Sequence, residues 1–213
     1  MSKEKRSSNE YPAARATWRC FPWNPESEEG GPFSASHLVP GQTVGRFDLH
    51  DRPPVRYLSE SPEHALAEIL SPFRGTTFRP AYLRQRGYLL ALVEVTLSSG
   101  LVERMPDCTD PAVLAALDLR PDQLAHHDRT VTQVIARRLH GAGAATGNPA
   151  GLRWWSALTG AWHTNVVFTD RERPGDVVFG EPRHLRPSDA IVRRALSALG
   201  IREIGTPPLH RGV

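Results

Sequence analysis

From Tyr88 to Leu97 the chain is almost continuously apolar, with Leu89, Leu90, Ala91, Leu92, Val93, Val95 and Leu97. A short run of this kind, alternating toward its end, reads as a central strand, so the fold must supply strands on either side of it. Candidates lie before and after. Thr17 to Phe21 is the first plausible strand, and Val44 to Phe47 and Val55 to Ser59 read as two short strands joined through Asp51-Arg52-Pro53-Pro54. Gly151 to Trp155, His163 to Thr169 and Asp176 to Phe179 read as strands further on.

Helix signals interrupt these strands without regular alternation. Ser61 as N-cap, Pro62 at the first helical position and Glu63 in the first turn open a helix that runs to about Leu70 and is stopped by Pro72. Helical stretches follow around Pro111 to Leu117 and Thr130 to Leu139, and Pro187 to Leu199 closes as a helix ended by Gly200. The class expected is therefore α+β, and no internal repeat is visible. Pro22 to Gln42 carries Pro, Gly, Ser and Glu without periodicity and reads as a long loop of the kind that is often functional.

With 213 residues and no long polar tract, one domain is expected, residues 17–213, preceded by a charged, flexible segment over residues 1–16. No apolar run approaches the roughly 18 to 20 residues that cross a bilayer, and the polar start from Met1 to Tyr11 does not resemble a signal peptide. Cys20 and Cys108 lack CxxC spacing, which fits two reduced thiols and a cytoplasmic location better than a disulfide framework. The formal net charge is +3, and Lys occurs only at Lys3 and Lys5. Arg forks suit bidentate contacts to carboxylate or phosphate, but such uniform use of Arg is equally read as compositional bias, and the charge alone names no partner.

Several familiar motifs fail. Gly141 to Gly147 has glycine spacing near that of a dinucleotide loop, but its last interval is one residue too long and it follows a helix rather than a strand, so it reads as a helix C-cap and link. There is no phosphate-binding GxxxxGK[ST] loop, no HExxH and no GxSxG elbow. His126-His127 lacks companions at ligand spacing, and no metal is expected. Trp154, Trp155 and Trp162 read as structural aromatics rather than base-stacking platforms.

The chemistry rests on a spaced set: Gly45-Arg46-Phe47, Tyr57-Leu58, Ala65-Leu66-Ala67-Glu68 and Trp155-Ser156-Ala157. Taken one at a time these are unremarkable; Glu68, for example, falls on the flank of its helix, beside the apolar face formed by Ala65, Leu66, Ile69 and Leu70. In order, and together with Thr17-Trp18-Arg19 before them and Asn165-Val166-Val167-Phe168 after, they resemble the RES-domain family, named for an Arg, a Glu and a Ser. The correspondence runs from about Trp18 to Arg171. Asp48 stands where an Asn is often expected, and two Trp precede the Ser, so Asn-dependent contacts are not carried over.

The resemblance implies a fold similar to that of ADP-ribosyltransferases, a split β-sheet core with surrounding helices and NAD in the central cleft. It also implies the activity of the NAD-destroying toxins of the family, which an Xre-type antitoxin holds in check. NAD is then the substrate, with no other cofactor and with inorganic phosphate as a candidate co-substrate. Arg46, with Arg19 as second candidate, would grip the diphosphate through its guanidinium fork. Tyr57 would present its ring to nicotinamide and its hydroxyl to ribose. Glu68 would hold the ribose hydroxyls and stabilise positive charge at the anomeric carbon. Nicotinamide leaves neutral from a cationic precursor, so a single carboxylate suffices, and Ser156 would orient ribose or the incoming water or phosphate.

The acceptor stays open between water and phosphate. An ADP-ribosyltransferase modifying a macromolecule and a catalytically silent Arg-rich binding module are the competing readings. No membrane association and no direct nucleic-acid binding are expected, and a homo-oligomer is compatible with the sequence.

Overall fold

The computed structural model of the chain describes residues 13–39, 45–124, 126, 128–141 and 148–203. Strands β1 (Arg15–Pro22), β2 (Val55–Ser59), β3 (Arg84–Gln85), β4 (Tyr88–Leu97), β5 (Gly151–Trp155), β6 (His163–Phe168), β7 (Val177–Phe179) and β8 (Arg183–His184) form a sheet whose main path is β3-β4-β1-β2-β6-β5. The short strands β7 and β8 also pair with β4. Every one of these pairings is antiparallel. Around the sheet lie α1 (Pro62–Leu70), α2 (Ser99–Glu103), α3 (Pro111–Ala116), α4 (Pro121–Leu124), α5 (Arg129–Gly141) and α6 (Ala190–Leu199).

The Tyr88 to Leu97 run is the central strand its sequence predicts, and it is buried on both faces. Leu90 and Leu92 point into a core shared with Ala65, Leu66 and Leu70 of α1 and Val192, Ala195, Leu196 and Leu199 of α6. Val93, Val95 and Leu97 point the other way, onto Phe21, Leu58, Leu101, Val102 and Val167. A third core joins β5 and β6, through Leu152, Trp154, Val166 and Phe168, to α3, α4 and α5. At about 25 cal/mol per Å² of apolar surface removed from water, these three cores are the main favourable term in folding.

The sheet is split. β1 pairs with β4 from Arg15↔Leu97 to Pro22↔Leu90, and β2 pairs with β6 from Val55↔Phe168 to Ser59↔Thr164. Between β1 and β2, however, the only register pair among the described residues is Trp18↔Ser59. The strands diverge from that pair, and the candidate site occupies the opening between them.

Local signals read from sequence hold at α1, where the Ser61 hydroxyl accepts the His64 N–H at 3.1 Å and Pro62 stands in the first turn. They hold at α6 too, where Gly200 ends the helix with φ 66°. β1 starts at Arg15, two residues before the expected strand. One expectation fails: Gly45, Arg46 and Phe47 form a turn rather than a strand. Their backbone finds a side-chain partner instead of a ladder, because the Phe47 N–H donates to the Tyr57 hydroxyl at 2.9 Å while the Phe47 ring is fully buried. The long loop has no strand or helix up to Val39, as expected. Most of the Gly141 to Gly147 link and His127 lie outside the described residues. Both cysteines are free thiols. No helix among the described residues is long and apolar enough to cross a membrane.

Candidate active site

A cavity of about 650 Å³ opens where β1 and β2 part, within the range of small-molecule sites. Its walls include Trp18, Arg19 and Cys20 of β1, Val55 to Ser59 of β2, Ala65, Glu68 and Ile69 of α1, Arg129 of α5 and Trp154 of β5. Gly45, Arg46 and Asp48 contribute from the turn before β2. Four of the five residues singled out by sequence, Arg19, Arg46, Tyr57 and Glu68, line this one space. The fifth, Ser156, reaches it through Glu68.

Glu68 lies on the last turns of α1, with its side chain 45% exposed toward the cavity. Its Oε1 accepts two hydrogen bonds, from the Ser156 hydroxyl at 2.8 Å and from His64 Nε2 at 2.9 Å. Burial pulls the Glu68 carboxyl upward, but the bonds from His64 and Ser156 and the positive charge of Arg46 outweigh it, and the carboxyl is held below the usual carboxylate range. Glu68 is therefore an ionised carboxylate with Oε2 left to meet a ligand. Ser156 is itself fixed by backbone, since its N–H donates to the Trp162 carbonyl at 2.7 Å and its hydroxyl accepts the Leu158 N–H at 3.1 Å.

Tyr57, 37% exposed, presents its ring to the cavity and stands edge-on to Trp154 at 6.5 Å. Burial of the phenol, with the nearby Asp48 carboxylate, pushes its pKa up, so it stays protonated. Gly45 packs so closely on this ring that a Cβ there would overlap the Tyr57 hydroxyl. This contact explains why the residue before Arg46 is a glycine. Arg46 donates to the His126 carbonyl, and among charged neighbours it feels Glu68 and Arg129.

Arg19 lines the cavity and also braces backbone. Its two terminal nitrogens donate to the Ala35 carbonyl at 2.5 Å and the His37 carbonyl at 2.7 Å, and burial, reinforced by Arg56, lowers its pKa to about 10. Arg56 donates to the Ser36 carbonyl at 3.0 Å and pairs with Glu172 at 2.9 Å. Together the two guanidinium groups pin residues 35–37, of which His37 lines the cavity.

Sequence reasoning missed His64, Arg56 and Arg129. His64 is four residues before Glu68, a spacing that puts both on one helical face and could have revealed it. Arg129 carries no comparable signal, because only the packing of α5 brings it to the site. Asp48 is buried and lines the cavity, so the departure from Asn falls inside the site. No cluster of metal-ligand type occurs among the described residues. Trp154 is 4% exposed and packs on Phe47 at 4.8 Å, as a structural aromatic does.

Among curated proteins, none matches this chain. Among solved structures, the chain is similar to one from the M. tuberculosis MbcT–MbcA toxin–antitoxin complex, with a TM-score of 0.58 over 86% of this chain and 90% of that one. At 16% identity this likeness speaks to the fold alone. The model of the RES domain matches residues 16–188, a span that contains the split sheet, the Arg46 turn, Glu68 and Ser156, and the chain belongs to the RES-domain family.

Proposed function

We propose that the chain is an NAD-degrading enzyme that breaks the bond between nicotinamide and ribose, and that it acts as the toxin of a toxin–antitoxin pair. The observation that carries the reading is the Glu68 carboxylate, ionised and held at Oε1 by Ser156 and His64, opening onto a cavity shared with Arg46 and Tyr57. Membership of the RES-domain family and the fold shared with a chain of a toxin–antitoxin complex support it.

In this reading Arg46 binds the diphosphate through the pair of guanidinium nitrogens not used on His126, and the exposed Tyr57 ring packs against the cationic nicotinamide. As the C–N bond stretches, the electron pair leaves with nicotinamide and positive charge grows on the ribose anomeric carbon. Glu68 stabilises that charge and holds the ribose hydroxyls. Because nicotinamide departs neutral, no second carboxyl is needed to protonate it. Water then gives ADP-ribose and a proton; inorganic phosphate gives the 1-phosphate of ADP-ribose. The chain is held inactive in its host by an antitoxin protein.

The test is to incubate purified protein with NAD, with and without phosphate, and identify products by mass. Nicotinamide with ADP-ribose or its phosphate is the expected outcome. Intact NAD would overturn the reading, and label appearing on a macromolecule would replace it with ADP-ribosyl transfer.

A further inference from the structure

His64 is completely buried, yet it is polar and sits on the helix that carries Glu68. Its ring stacks on Trp162, with centroids 5.1 Å apart and planes 20° from parallel. Nε2 lies 2.9 Å from Glu68 Oε1, whereas Nδ1 is buried without a hydrogen-bond partner. The nitrogen facing a carboxylate must carry a proton, so Nε2 is the donor, while Nδ1 meets no partner. A buried polar atom with no partner is destabilising, and native structures contain few of them. An apolar ring of similar shape would avoid that cost. The arrangement suits a residue retained for what Nε2 does to Glu68.

We propose that His64 is a positioning residue for the reaction: its Nε2–H, with the Ser156 hydroxyl, fixes Oε1 of Glu68 from behind and aims Oε2 at the developing positive charge. This rests on the NAD-cleaving reading for the chemistry, but the geometry is independent of the substrate. The two donors approach from different elements, His64 from within α1 and Ser156 from the chain after β5, so the carboxylate is held against rotation about its last bond. A carboxylate on an exposed helix flank would otherwise sample several rotamers. His64 and Arg46 act electrostatically on Glu68. Arg19, Cys20, His37, Asp48, Arg56, Tyr57 and Arg129 also line the cavity.

The test compares His64→Phe, which keeps a stacking ring and removes the donor, with His64→Gln, whose amide restores a donor at the same reach. Two readouts are taken: NAD turnover across pH, and the titration of the Glu68 side-chain carbon by ¹³C NMR, assigned by its loss in Glu68→Gln. His64→Phe is expected to lower kcat about tenfold with little change in KM, the factor set by one charge-assisted hydrogen bond. The Glu68 titration and the acid limb of the rate should both move to higher pH, and His64→Gln should restore most of each. Should Phe not be accommodated, His64→Leu makes the same comparison. A Glu68 titration that is the same in wild type and in the apolar variant overturns the role of His64. The NMR readout needs no substrate: a wild-type protein that leaves NAD intact removes the proposed function, and the titration still decides the inference about His64.

Discussion

The hydroxyl of Tyr57 accepts the backbone N–H of Phe47 at 2.9 Å, so one side chain of the cavity holds in place the turn that carries Arg46. Tyr57→Phe keeps the ring and removes this bond. It should lower stability by about 1–3 kcal/mol, the cost of leaving a buried N–H unsatisfied, and should raise KM for NAD more than it lowers kcat. Tyr57→Ala should lose both affinity and rate. Melting curves beside steady-state kinetics check the split; a Tyr57→Phe protein with unchanged Tm and KM would show that the bond does not position Arg46.

Gly45→Ala should act on the same contact from the other side. The added methyl overlaps the Tyr57 ring, which must shift or expel the turn, and overpacking of this kind typically costs about 1–3 kcal/mol. Activity should fall even at temperatures where circular dichroism reports a folded protein. Wild-type kinetics in Gly45→Ala would mean that the turn relaxes freely.

Glu68→Gln should leave fold and substrate affinity nearly intact and reduce kcat by about 10²- to 10³-fold, the usual effect of removing one preorganised electrostatic group. The change is nearly isosteric, and both donors at Oε1 can still meet an amide oxygen. Binding by calorimetry and turnover by nicotinamide release separate the two effects; wild-type turnover would remove Glu68 from the reaction.

Ser156→Ala should shift the pH profile. The active form is the ionised Glu68, whose pKa in the folded protein is depressed, so the rate holds as pH falls through the ordinary carboxylate range of about 4.3 and declines only below it. The same depression means that ionised Glu68 favours the folded state above its unfolded pKa, and that this contribution fades as pH drops through the folded one. Without the Ser156 donor the acid limb should move to higher pH. An unmoved limb would show that the Ser156 bond does not tune Glu68.

Arg46→Lys should weaken NAD binding although the charge is retained, because an ammonium cannot both donate to the His126 carbonyl and offer a parallel pair of bonds to phosphate. Arg19→Lys should behave differently. It should destabilise residues 35–37, which Arg19 pins through two carbonyls, and register as a lower Tm as well as a weaker site. Calorimetric affinity and melting temperature for the two variants distinguish substrate contact from wall building.

The strands and helices whose information is local were legible in the sequence. β2, β4 and β5 match their expected boundaries, and α1 shows its cap, its proline and its stop because each is a property of adjacent residues. Gly45 to Phe47 was misread because its order comes from a hydroxyl ten positions away, and no short-range pattern encodes that. The short strands β3 and β8 are defined by pairing with β4 rather than by their own composition. In the site, Glu68, Arg46, Tyr57 and Ser156 were found as an ordered set of motifs, whereas Arg129 depends on where α5 packs. Arg19 lines the cavity, and two of its donors meet backbone carbonyls that sequence could not place.

Among the described residues the single rung between Trp18 and Ser59 marks a seam through the site. Glu68 rides on α1, packed chiefly on α6 and β1, while Tyr57 lies on β2 and Ser156 follows β5. The Ser156–Glu68 bond thus acts as a latch across the seam, and a ligand touching both halves stiffens the molecule as a whole. Amide protons along the facing edges of β1 and β2 should exchange faster than those between β1 and β4, and substrate should slow them. Occupancy of the cleft should then be readable as rigidity along this seam.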